Sequence, residues 1–258
     1  MSVKKLMDLS GKVALITGGS RGLGLQIAEA LGEMGARLAL TARKADELAQ
    51  AKEHLARMHC EVLTQACDHS KTASIRPAIE HVMQHYGQID ILVNNAGTTW
   101  GATAEEHPLD GWQKVMDLNV TGLFQTTQLV GKLSMIPRRY GRIVNIASIA
   151  GLLGNDVRLQ RSLAYNTSKG AVVNLTRALA AEWGQYNITV NAIAPGFFPS
   201  QMTKWILGQI GEATIAQTPL ARLGGEDDLK GLAALFASDA CAHITGQIVA
   251  VDGGASII

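Results

Sequence analysis

Short apolar, β-branched runs recur along this chain, and each leads into a longer stretch with helical periodicity. The runs are "KVALIT", "RLALTA", "EVLTQA", "DILVNN", "GRIVNIAS", "ITVNAIA" and "QIVAVDGG". Between them lie segments such as "GLQIAEALGEMG", "ADELAQAKEHLARM" and "AVVNLTRALAAEWG", whose apolar residues fall on one helical face or more. The runs are apolar almost throughout rather than alternating, as strands covered on both faces by helices must be. Strand and helix in alternation predict an α/β fold: a seven-stranded, parallel, doubly wound sheet with right-handed crossovers and helices on both faces. No Pro- or Ser-rich linker and no internal repeat divides the 258 residues, and 47% hydrophobic content suffices for one sizeable core. One domain over 1–258 is expected.

The balance of charge, 23 Lys+Arg against 22 Asp+Glu, gives no sign of a nucleic-acid or anionic-membrane partner. The opening "MSVKKLMDLSGKVALITGG" holds only a short apolar run, too short for a membrane span or a signal core, and it enters a glycine turn directly. Cys60, Cys67 and Cys241 are few and odd in number, which fits free thiols in a reducing cytoplasm. Cys60, Cys67 and His69 lie near one another but match no zinc-ligand spacing, so no metal is expected.

In a doubly wound sheet, ligands bind beyond the carboxyl ends of the strands, where the strand order reverses. The residues just after each strand therefore matter most. After the first strand comes "TGGSRGLG", residues 17–24, in which Gly18, Ser20, Arg21, Gly22, Leu23 and Gly24 would approach a pyrophosphate at the following helix N-terminus. Its G-x3-G-x-G spacing departs from the strict G-x-G-x-x-G dinucleotide pattern, and such turns also occur without a ligand. After the second strand, where an NAD site usually carries Asp or Glu, the chain has Thr41, Ala42 and Arg43. No carboxylate stands there to repel a 2′-phosphate, and Arg43 with Arg21 could clasp one, so NADP(H) is favoured and NAD(H) remains possible. Arg43 and Lys44 could equally begin a solvated helix. Asp68, after the third strand, is a candidate for the adenine or for a helix cap. "NNAG", residues 94–97, places Asn95, Ala96 and Gly97 at the end of the fourth strand, where small residues let the backbone face a cofactor or simply turn.

Tyr165 and Lys169, in "YNTSK", stand on one face of a predicted helix. Such a spacing is common where no chemistry occurs. In company it means more. "TGGSRGLG", "NNAG", Asn119 in "DLNVTG", Ser148 in "NIASIAG", "YNTSK" and the Pro195-Gly196 pair after the sixth strand occur in this order along essentially the whole chain. Together they resemble the short-chain dehydrogenase/reductase family, in its gluconate 5-dehydrogenase-like and 3-oxoacyl-reductase-like branch. The resemblance implies a single-domain Rossmann fold, with 1–110 mainly a cofactor half and 111–258 a catalytic and substrate half, and an NAD(P)-dependent oxidoreductase that interconverts a ketone and a secondary alcohol. It also implies a catalytic set of Asn119, Ser148, Tyr165 and Lys169, and cofactor contacts that add Tyr165, Lys169, Pro195 and Gly196 to the loop residues above.

A tyrosine near its usual pKa of about 10 is a poor base at neutrality. A nearby Lys169 ammonium and a positive nicotinamide ring would favour its phenolate, making Tyr165 the acid for reduction and the base for oxidation. Ser148 would hydrogen-bond the substrate oxygen. By resemblance Lys169 would also hold the nicotinamide ribose, and Asn119 would hold a water linking Lys169 to solvent. A nicotinamide-binding redox sensor without turnover is the alternative, and such proteins typically lose the tyrosine or the lysine. An epimerase or dehydratase of the extended branch would carry a larger C-terminal substrate part.

The substrate is less constrained. Seventeen positions separate Ser148 from Tyr165, about four more than is common in the family, and Arg158 and Arg161 in this expanded segment could attract a carboxylate or phosphate. A lid is expected at about 197–224, where Phe197, Phe198, Met202, Trp205 and Ile206, with Trp100 after NNAG, would contact an apolar or aromatic ketone. The same residues would otherwise pack the lid or a subunit contact. The family resemblance further implies a cytoplasmic homotetramer.

Overall fold

The computed structural model describes residues 1–154, 161–200 and 203–258. After a short helix α1 (Val3–Met7), strands and helices alternate: β1 (Val13–Thr17), α2 (Gly22–Glu33), β2 (Arg37–Ala42), α3 (Ala45–Arg57), β3 (Val62–Ala66), α4 (Thr72–Tyr86) and β4 (Ile91–Asn94). A long interrupted helix follows, α5 (Leu109–Met116), α6 (Leu123–Val130) and α7 (Ile136–Arg138), joined by π-helical turns at Asp117–Gly122 and Gly131–Met135. Then come β5 (Gly141–Ile146), α8 (Leu163–Trp183), β6 (Ile188–Pro195), α9 (Lys204–Ala216), α10 (Lys230–Ala237) and β7 (Ile248–Val251).

The seven strands form one sheet in the order β3-β2-β1-β4-β5-β6-β7, with every pairing parallel. The seven-stranded doubly wound sheet read from the sequence is therefore the fold. Its strands are apolar on both sides because both sides are covered. Ala14 and Ile16 of β1 pack with Ile27, Leu31, Leu55 and Phe236 on one face, while Val13 and Leu15 pack with Ile75, Ile79, Val82 and Leu179 on the other. Strand order reverses between β1 and β4, and the carboxyl ends of those two strands mark the crevice where ligands bind in such sheets.

The opposite end of the sheet is tied by two ion pairs, each with one buried partner. Asp90 is fully buried, accepts from the Val13 amide and Gln88, and pairs with Arg138. Arg142, also buried, pairs with Asp239 at 2.9 Å and lies over the Tyr140 ring. Among the described residues, no helix is long and apolar enough to cross a membrane.

Candidate active site

β1 ends at Thr17, and the chain turns immediately through Gly18, whose φ of +63° favours glycine. The turn is pinned to β2 by the Gly18 amide donating to the Thr41 carbonyl at 2.7 Å. It is pinned to β4 as well: Asn95 Nδ2 donates to the carbonyls of Thr17 and Gly18, each at 3.0 Å, and the Asn95 and Ala96 amides donate to Thr17 Oγ1. Gly24 must be small, since a Cβ there would lie 2.4 Å from both Asn95 Nδ2 and the Gly18 carbonyl. The "NNAG" segment is thus a buttress that holds the glycine loop open. No side chain caps the α2 N-terminus that begins at Gly22, which leaves its amides facing the crevice.

A cavity of about 460 Å³ runs along the carboxyl ends of the strands. Its walls include Gly18, Ser20, Arg21, Gly22, Leu23, Arg43, Asp68, Asn95, Ala96 and Gly97 at one end. Ser148, Tyr165, Lys169, Pro195, Gly196 and Phe198 line it further along. Nearly all the cofactor residues expected from the sequence therefore share one space, Gly24 being the buried support behind it.

Ser148 ends the β5 run and does two things at once. Its hydroxyl oxygen accepts from the Ala150 amide at 3.1 Å, capping a short 3₁₀ turn at Ile149–Gly151, and its side chain hydrogen-bonds Tyr165. Gly151 allows that turn to press against α8, because a Cβ there would lie 2.5 Å from the Lys169 carbonyl carbon. Tyr165 and Lys169 sit in the first two turns of α8, as their spacing suggested. A buried polar ladder sets the register of that helix. Asn94 Nδ2 donates to Thr127 Oγ1 and Asn145 Oδ1, and Asn145 Nδ2 donates to Thr176 Oγ1 on α8, all between 2.8 and 2.9 Å.

Lys169 is buried, and burial alone lowers its pKa to about 8. Its Nζ donates to the Ile146 carbonyl at 2.6 Å and lies 5.6 Å from the centre of the Tyr165 ring. Burial pushes the Tyr165 phenol up, and the Ser148 hydrogen bond pulls the other way. Burial is the larger of the two effects, so the phenol stands above its usual value in this arrangement rather than below it. Asn119 sits buried in the first π turn, with Oδ1 accepting from the Thr98 amide and Nδ2 donating to the Thr98 carbonyl and Ser168 Oγ. It clamps the chain after NNAG and keeps one acceptor lone pair. Both its Oδ1 and Lys169 Nζ lie within 4 Å of the point where a Gly97 Cβ would stand.

At the other end of the cavity, Asp68 accepts from the Ser70 amide and hydroxyl. Burial would raise its pKa, but those hydrogen bonds, with Arg43 and Lys71 nearby, hold it below the usual value. The expected site set lacks two residues on this wall, Glu47 and His69, the latter read from the sequence only beside Cys60 and Cys67 as a poor zinc set. Glu47, on α3, bridges Arg21 and Lys44, each at 2.9 Å. His69 is buried between Thr41 and Thr126. Neither belongs to a local motif, so only the packing of distant elements brings them here.

The expected substrate residues are scattered. Phe198 lines the cavity but is core, packed so closely on Gly224 that a Cβ there would lie 2.4 Å from its ring. Phe197 is half-buried. Trp100 lies flat against Gly111 of α5 under the Lys114 ammonium, 5.0 Å from its ring centre, and is not among the residues that line this cavity. Arg161 is exposed and borders a separate cavity with Leu153 and Leu163. Arg158 and Met202, and the side chains of Trp205 and Ile206, lie outside the described residues.

A glycine turn at a helix N-terminus and a Ser-Tyr-Lys set in one crevice define a dinucleotide-dependent oxidoreductase site. The known proteins agree. The short chain dehydrogenase family model matches residues 12–209. A 3-oxoacyl-[acyl-carrier-protein] reductase of rhamnolipid biosynthesis from Pseudomonas aeruginosa is 40% identical, over 96% of this chain and 97% of that one. Gluconate 5-dehydrogenase of Gluconobacter oxydans is 34% identical, over 100% of this chain and 99% of the relative. A solved structure of a gluconate 5-dehydrogenase from Burkholderia cenocepacia, in complex with NADP and tartrate, superposes with a TM-score of 0.93 at 32% identity, covering 100% of both chains. This chain belongs to the short-chain dehydrogenase family, in the branch that holds 3-oxoacyl reductases and gluconate 5-dehydrogenases.

Proposed function

We propose that this protein is an NADP-preferring ketone reductase and secondary-alcohol dehydrogenase, with Tyr165 as its acid and base. The observation that carries the reading is that Ser148, Tyr165 and Lys169 face the same cavity as the glycine loop. The cavity suits a dinucleotide. Its loop is buttressed from behind, the α2 amides are uncapped, and Gly97 stands beside both Asn119 Oδ1 and Lys169 Nζ. Gly18, Ser20, Arg21 and Gly22 would hold the pyrophosphate side, Arg21 and Arg43 a 2′-phosphate, and Lys169 with the 97 and 195–196 segments the nicotinamide riboside. When bound, the reduced nicotinamide supplies hydride to the carbonyl carbon.

The chain itself must manage the oxygen. Ser148 donates a hydrogen bond to the substrate oxygen and stabilises the charge that develops there. Tyr165, its phenol raised by burial, is protonated at neutrality and delivers its proton to that oxygen. Lys169 is charged below pH about 8 and supports the phenolate that remains. Asn119 and Lys169 converge beside Gly97, where a water could return the proton. For alcohol oxidation Tyr165 must first lose its proton, so that direction gains with pH. A non-catalytic sensor is the weaker reading, because it would have no use for all four side chains. The names of the relatives support a 3-oxoacyl thioester or a keto-sugar acid as substrate, with a simple aryl ketone as the third candidate. The resemblance supports a cytoplasmic homotetramer.

Reduced-nicotinamide consumption by the purified protein tests this, with NADPH and NADH compared on a 3-oxoacyl thioester, 5-ketogluconate and acetophenone. Turnover that favours NADPH is expected, and the best ketone assigns the substrate class. NADPH binding without turnover of any ketone would instead favour the sensor.

A further inference from the structure

The 2′-phosphate end of the cavity already contains an anion. Glu47 lies in the first turn of α3 and reaches back to the glycine loop. Its Oε1 accepts from Arg21 and from Lys44, each at 2.9 Å, and its Oε2 accepts from Ser20 Oγ at 3.4 Å. All four residues line the cavity, beside Arg43 and Asp68. One carboxylate therefore stands where the cationic groups of two different loops converge, at the start of a helix whose dipole also favours negative charge.

We propose that Glu47 is a specificity-determining residue, an intramolecular competitor of the cofactor's 2′-phosphate that limits the preference for NADP and keeps the site open to NAD. The inference rests on the NADP reading above. A phosphate monoester carries between one and a half and two negative charges near neutrality and seeks the same donors. Its binding either takes Arg21 and Lys44 from Glu47 or brings two anions together. Either way the carboxylate opposes it.

Glu47 could conversely be thought to help, by gathering Arg21 and Lys44 in advance. The geometry argues against that. Arg21 and Lys44 are 48% and 61% exposed, and each meets Oε1 at the distance of a single hydrogen bond. Exposed contacts of this kind order side chains weakly, whereas repulsion acts directly on the doubly charged ligand. Asp68, the other carboxylate on this wall, is held by Ser70 and faces Arg43. The wall therefore sets three cations against two carboxylates, and removing Glu47 doubles its net positive charge.

The test is calorimetric titration of the intact protein with 2′,5′-ADP and with 5′-AMP, which differ only in the 2′-phosphate. Glu47→Gln and Glu47→Ala are compared with the wild type at low and high salt. We expect both variants to bind 2′,5′-ADP tighter by on the order of tenfold at low salt and to bind 5′-AMP within about twofold of the wild type. The NADPH-to-NADH ratio of kcat/KM should rise in parallel, and the gain should shrink at high salt. A merely structural role would move both nucleotides together. Unchanged or weaker 2′,5′-ADP binding in the variants, with the wild type still preferring 2′,5′-ADP over 5′-AMP, overturns the proposal and leaves the NADP reading intact. A wild type that binds both nucleotides equally overturns the NADP reading, and if the variants then gain no affinity for 2′,5′-ADP this proposal falls with it.

Discussion

His69 provides a stability prediction that can be worked from its contacts. Its ring is 4% exposed, with Nε2 2.9 Å from Thr41 Oγ1 and Nδ1 2.9 Å from Thr126 Oγ1. The Thr126 hydroxyl spends its proton on the Gly122 carbonyl at 2.8 Å, so it must accept from Nδ1–H. Nε2 is then the acceptor, and Thr41 donates to it. The neutral ring is fully satisfied, and a second proton would add a buried charge facing Thr41, which donates to Nε2 and would have to turn to accept instead. Burial accordingly lowers the pKa to about 4, against a smaller opposing effect of Asp68. The unfolded chain takes up that proton near 6.5 and the native one near 4, so between those values acid favours unfolding. Stability from this group is intact above pH 6.5 and is lost progressively down to pH 4. The shift of about 2.5 units at 1.36 kcal/mol each amounts to roughly 3 kcal/mol. Urea unfolding of wild type and His69→Gln at several pH values from 7 to 4 isolates the group, because the carboxylates are common to both. The wild-type advantage should fall by roughly 3 kcal/mol across that window. An advantage that is independent of pH would refute the account of a neutral, buried imidazole.

Further predictions concern the loop, the helix register and the proton. Gly24→Ala puts a Cβ against the Gly18 carbonyl; it should cost about 1–3 kcal/mol by thermal melting and weaken dinucleotide binding in a fluorescence titration. Asn145→Leu strands Asn94 and Thr176 in the core, and urea unfolding should show a loss of about 1–3 kcal/mol for each unpaired group, with kcat reduced because α8 loses its register. With Tyr165 raised by burial and Lys169 near 8, alcohol oxidation should quicken from pH 7 upward while ketone reduction declines above about 8; a pH-rate profile in which oxidation peaks in acid would contradict this.

Much of this site was legible because its chemistry is written in short local patterns. The glycine loop, NNAG and the Tyr165–Lys169 pair each combine a spacing with a strand end or helix start, and a parallel sheet sends all strand ends to one side. What stayed hidden depends on contacts between segments far apart in sequence. Glu47 meets Arg21 across 26 positions and His69 meets Thr126 across 57, and no periodicity encodes either meeting. Trp100 depends on packing in the same way. An aromatic after NNAG reads as a pocket wall, yet Gly111 leaves a flat seat on α5 that the indole fills. The π turn that carries Asn119 was likewise invisible, since "DLNVTG" continues a helical pattern without a break.

The central claim is that Tyr165 moves the proton. The most direct measurement is ketone-dependent NADPH oxidation by wild type and Tyr165→Phe, with NADPH affinity measured on both. Removing the phenol should lower kcat about 10²–10⁴-fold with the affinity nearly unchanged. A phenylalanine variant that turns over like the wild type would contradict it.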